Sequence, residues 1–231
     1  MRRQLQLAAL TILLTTAAAT RAQIHLKHDK PQAEDLQWLW QYTKPAPDGN
    51  ENGLTNDPRF TALLKQHLTA PQSFWGNESL ADTALEFLSV PGVARSDDNR
   101  YFTATGCVPH FCPARGMLFV DTAGSHPLIV FAAIDWNRES HTTDENNAEY
   151  TLWIFPNREL TTTRPADNTT YLPQPLQKSL GVFSAALNGG TIPPLVTRAF
   201  VVTPDGKPHE IPASQSGVTR FHDSQPLAPP A

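Results

Sequence analysis

The stretch from Arg100 to Thr122, RYFTATGCVPHFCPARGMLFVDT, decides how the rest of the chain is read. Its two ends, RYFTAT (100–105) and GMLFVDT (116–122), are rich in β-branched and aromatic residues and read as strands. Between them lie the only two cysteines of the chain, Cys107 and Cys112, enclosing Val108, Pro109, His110 and Phe111. A connection between paired strands usually takes only a few residues. Here it is expected to run from Gly106 to Arg115, a longer loop braced from within.

The β pattern continues through PLIVFAAIDW (127–136) and AEYTLWIF (148–155). The separating segments PAR, AGSH and NRESHTTDENN carry turn and loop residues, and short connections imply antiparallel neighbours. Upstream, Asp57-Pro58 opens a helix, with Asp57 suited to the N-cap and Pro58 to the first helical position. Phe60, Leu63, Leu64 and Leu68 form its apolar face, and Pro71 marks its end. AEDLQWLWQY (33–42) suits a second amphipathic helix, whereas Ser79–Leu88 fits a helix or a strand equally well. Apolar pieces recur at Leu180–Leu187 and Arg198–Val202, and the chain from Ser214 is rich in Ser, Pro and Gln. The expected fold class is α+β: an antiparallel sheet with flanking helices and a disulfide-braced loop protruding between two strands.

The N-terminal run MRRQLQLAALTILLTTAAATRAQ has the parts of a secretory signal: basic Arg2 and Arg3, a short apolar stretch and a small-residue cleavage site near Ala22. The sequence divides accordingly into a signal peptide (1–22), a helical linker segment (23–56), a central domain (57–160), a C-terminal extension (161–213) and a disordered tail (214–231). The full chain carries 18 basic and 22 acidic residues, a formal charge of -4. Loss of Arg2, Arg3 and Arg21 with the signal leaves 15 basic residues against 22 acidic ones, or -7. An acidic exported protein repels nucleic acid and anionic membrane and is drawn to basic partners. Periplasmic or secreted, with no membrane association after signal cleavage, is the expected location.

An oxidising compartment favours a Cys107–Cys112 disulfide over free thiols. So small a ring removes only about 2 kcal/mol of unfolded-state freedom, little for a domain of this size. Its use is local, since the bond and the fixed φ of Pro109 hold the loop in one shape. A rigid loop enters a concave site without losing much entropy. Near its apex His110 brings an imidazole able to donate or accept hydrogen bonds, and a cleft floored by carboxyl groups complements it.

Cys107-Val108-Pro109-His110-Phe111-Cys112 resembles the C-x-P-H-x-C loop of the Ivy family, periplasmic inhibitors of vertebrate, C-type lysozyme. Supporting features are the upstream helix DPRFTALLKQHL, the Pro-and-Trp segment PQSFW, Tyr101 before the first cysteine, and the apolar strands GMLFVDT and PLIVFAAID after the second. The resemblance spans about residues 57 to 160. It implies a binding protein rather than an enzyme, without catalytic residues, metal or cofactor, whose partner is a C-type lysozyme and which can form a homodimer. The loop residues Cys107, Val108, Pro109, His110, Phe111 and Cys112 would make the contact, with His110 on the catalytic carboxylates. In the family polar residues often flank the Pro-His pair, and here Val108 and Phe111 are apolar.

Two other readings stay open at this stage. The same fold could block or adhere to a different protein target, which the apolar Val108 and Phe111 favour. A cysteine enzyme using Cys107 or Cys112 with His110 as base would need a reduced thiolate.

Overall fold

The computed structural model describes residues 35–44, 53–137, 148–160, 172–185 and 192–223. The proposed signal peptide and the last residues, 224–231, lie outside them. The described elements are α1 (Pro58–His67), α2 (Leu80–Phe87), β1 (Val90–Asp97), β2 (Tyr101–Val108), β3 (Phe111–Asp121), β4 (Leu128–Trp136), β5 (Glu149–Pro156), α3 (Gln174–Ala185), β6 (Leu195–Val202) and β7 (Pro208–Ile211).

Among the described residues the strands form one seven-stranded sheet in the order β1-β2-β3-β4-β5-β6-β7. Neighbours are antiparallel except β5 and β6, which run parallel. A parallel pair needs a crossover, and α3 lies in that connection. The class is therefore α+β, with a mostly antiparallel sheet as the sequence implied.

Strand β4 explains the layering. LIVFAAIDW lacks the polar alternation of a half-exposed strand, and its first seven residues are buried. Ile129, Phe131 and Ala133 face a core built with Phe60, Leu63 and Leu64 of α1 and Leu80, Ala84 and Phe87 of α2. Leu128, Val130, Ala132 and Ile134 face the other side, where Leu176, Leu180 and Phe183 of α3 pack. Segments 172–185 and 192–223 thus pack on the second face of the sheet and extend it by two strands. They share the sheet and its second core with β4 and β5.

Local signals account for the helices. Asp57 caps α1 by accepting a hydrogen bond from Arg59 N at 2.8 Å, with Pro58 at the start. The ambiguous segment 79–88 resolves as α2 because Ser79 and Asp82 form a capping pair: Asp82 N donates to Ser79 Oγ at 3.1 Å, and Ser79 Oγ donates to Asp82 Oδ2 at 2.6 Å.

Three expectations change. The segment expected as a helix over 33–42 is a 3₁₀ helix, Gln37–Thr43, with Leu39 buried, and it ends at extended Lys44 just before Pro45. Strand β1 had no expected counterpart. Pro91 and Gly92 obscure it in sequence, and an edge strand tolerates both. The chain beyond Ser214 is ordered as far as Asp223 rather than a tail from its start. Ser216 and Val218 are buried, and Val196 N donates to Arg220 O while His222 N donates to Val196 O, each at 3.0 Å.

Candidate functional site

Strands β2 and β3 bring the cysteine bracket together more tightly than a ten-residue loop would. They pair in register from Tyr101↔Asp121 to Cys107↔Arg115, and Val108 then pairs with Phe111. The connection is therefore the two residues Pro109 and His110, both exposed. The difference from sequence arises on β3, where Cys112, Pro113 and Ala114 bulge out of register while the strand carries on. Pro109 at the first central position and His110 at the second, with φ +62°, match the pattern of a type II turn. That second position normally takes glycine, and a side chain held there costs of order 1 kcal/mol.

Cys107 and Cys112 are disulfide-bonded, with Cα atoms 4.8 Å apart. The bond ties a residue in the regular ladder to one in the bulge, so it fixes the irregular part of the hairpin. Neither sulfur is therefore a free thiol. Arg115 closes the bulge from the other side, donating from Nε to Pro113 O at 3.4 Å. It is buried, and that burial pulls its guanidinium down to about 10.

The sequence placed Val108 and Phe111 in the target-contacting loop beside Pro109 and His110. Both are half-buried against the core of their own chain. Phe111 stacks on Trp136 at the end of β4, with ring centroids 5.8 Å apart and planes inclined by 15°. The neighbouring Asp135 accepts from Trp136 N and from Trp75 Nε1, each at 2.8 Å. In this way the PQSFW segment braces the hairpin tip through Trp75, Asp135, Trp136 and Phe111.

The base of the hairpin is held from the α2 side. Gly106 and Gly116 are cross-strand partners. A Cβ on Gly106 would come 2.6 Å from Leu88 Cα, and one on Gly116 2.8 Å from Phe87 Cβ. The two glycines let the C-terminal end of α2 rest directly on the hairpin. At its far end Arg100 grips Asp121 through two hydrogen bonds of 2.7 and 2.8 Å. The six residues singled out in sequence thus share one hairpin end, with Pro109, His110 and Cys112 exposed and Val108 and Phe111 half-buried. Sequence reasoning passed over Trp136 and Asp135 as contributors, although their position at the end of the strand beyond the bracket made them its neighbours.

Comparison with known families, curated proteins and solved structures finds no match for this chain.

Proposed function

We propose that the chain is an exported inhibitor of C-type lysozyme that plugs the active-site cleft with the Pro109-His110 turn. One observation carries the reading. His110 is an exposed imidazole held at positive φ in a two-residue turn closed by the Cys107–Cys112 bond. Strained, over-determined backbone of this kind is found where a side chain must be presented in one orientation.

The target chemistry fits. A lysozyme works with one protonated and one ionised carboxyl group flanking the sugar bond. An imidazole can donate to the ionised group and accept from the protonated one, and it occupies the space the sugar needs. Preorganisation spares the entropy of ordering the turn on binding. The acidic mature chain adds long-range attraction to a basic enzyme, reduced by salt. Val108 and Phe111 are half-buried against the chain's own core, so part of their apolar surface serves the hairpin's rigidity.

The test is lysis of bacterial cell walls by C-type lysozymes with the purified chain in molar excess. Suppressed lysis supports the proposal, and unchanged lysis over several such enzymes defeats it.

A further inference from the structure

At the hairpin end Pro109, His110 and Cys112 are exposed. A stable contact between two proteins draws on roughly 20–30 residues a side and buries about 800 Å² of each. A plug of three residues does not supply that area, so a partner that takes the turn must also rest on surface next to it. The exposed apolar side chains of the chain indicate where. Among the described residues four large ones are exposed: Val93 at 46%, Val182 at 42%, Ile192 at 54% and Phe221 at 44%. The first three come from β1, α3 and the approach to β6, yet all line one cleft of about 830 Å³. Single exposed apolar residues are ordinary, whereas grouped ones mark a binding surface.

The cleft is continuous with the hairpin end. Cys107, Cys112 and Pro113 line it, and Tyr101, Thr103 and Thr105 of β2 line it further along. The strand registers fix its direction. Val108↔Phe111, Trp136↔Tyr150 and Glu149↔Leu195 lie at the same end of the sheet, so Ile192, three residues before Leu195, approaches β6 from the end that carries the turn. Val93 sits in the β1 bulge between Pro91 and Ala94, where its N–H donates to Thr105 Oγ1 at 3.0 Å. Bulges of this kind re-aim a side chain. The opposite end, at Asp97↔Tyr101, is polar, and there Lys178 Nζ donates to Asp97 Oδ2 at 2.7 Å. Val182 follows Lys178 by one helical turn on the same face of α3.

We propose that Val93, Val182 and Ile192 form the second half of the inhibitory contact, gripping an apolar ridge beside the cleft of the same lysozyme that receives His110. The proposal rests on the inhibitor reading of the turn and assigns the affinity differently. The turn blocks the enzyme, and the three apolar side chains supply the buried area that holds it there.

Binding kinetics of the full mature chain with an immobilised C-type lysozyme test it, using Val182→Ser, Ile192→Ser and the double variant. Serine is neutral, so long-range attraction to a basic enzyme is unaltered. Each single variant is expected to weaken binding roughly fivefold and the pair tenfold or more, chiefly through faster dissociation. Both side chains are exposed, so the thermal midpoint is expected to stay within a few degrees of the parent's. Ile192 lies outside every helix and strand, and its variant reads the contact even where Val182→Ser perturbs α3. Phe221→Ser, at the exposed apolar residue that does not line the cleft, is expected to bind as the parent does. Parent-like binding by the folded double variant, with His110→Ala weakened, would overturn the proposal and leave the inhibitor reading standing. A parent that binds no C-type lysozyme would overturn both.

Discussion

Phe111 lies flat against Trp136, its ring 5.8 Å away and nearly parallel. This contact makes a half-buried apolar residue inside the cysteine bracket part of the support for the His110 turn. Phe111→Ala is expected to destabilise the fold by about 1–2 kcal/mol, through the lost stacking and a half-buried ring. The urea midpoint should fall with its slope unchanged, and inhibition should weaken in parallel. If Phe111 instead served as a direct contact, inhibition would fall with no change in stability.

His110 stands at φ +62°, where glycine would sit without cost. His110→Gly is therefore expected to raise stability by up to about 1 kcal/mol while abolishing inhibition. Denaturation and lysis assays on the same preparation read the two effects. Lower stability in this variant would show that the imidazole contributes to the fold itself.

The glycine pair below the turn gives a prediction of opposite sign. Gly106→Ala forces a Cβ to 2.6 Å from Leu88 Cα and 2.8 Å from Leu88 O, and backbone atoms there cannot swing aside. A loss of about 1–3 kcal/mol is expected, of the size seen on overpacking a core, and chemical denaturation measures it.

Much of the fold was legible because its central strands announce themselves. The run 128–136 is apolar on both faces, the cap Asp57-Pro58 needs no tertiary context, and the cysteine bracket places the turn. What escaped had physical reasons. β1 is an edge strand carrying Pro91 and Gly92, which count against a strand in any local reading. The connection looked long because the three-residue bulge Cys112–Ala114 is set by the disulfide and by Arg115, neither of which appears in strand propensity. Nothing local marks Tyr101, Thr103 and Thr105 as lining a cleft, and only the placement of α3 alongside them does so.

Acid should remove a stabilising contribution at the N-terminal cap of α1. Asp57 Oδ2 accepts from Arg59 Nη2 and from the Tyr42 hydroxyl, each at 2.6 Å. The Arg59 hydrogen bond holds its carboxyl well below the usual carboxylate range. A carboxyl whose folded value lies below its unfolded one stabilises the fold above about pH 4. That contribution is lost as pH falls from about 4 through the lower, folded value. Asp57→Asn keeps the capping oxygen but removes the charge. It is expected to be less stable than the parent at neutral pH, and the gap should narrow as the pH drops below about 4 in urea midpoints taken across that range.

The most direct test of the inhibitor reading is the dissociation constant of the mature chain for a C-type lysozyme, compared with that of His110→Ala of matched stability. An imidazole seated between the catalytic carboxyl groups predicts tight, one-to-one binding that weakens roughly a hundredfold or more on truncation. Equal affinity of the two proteins, or no binding by either, would contradict it.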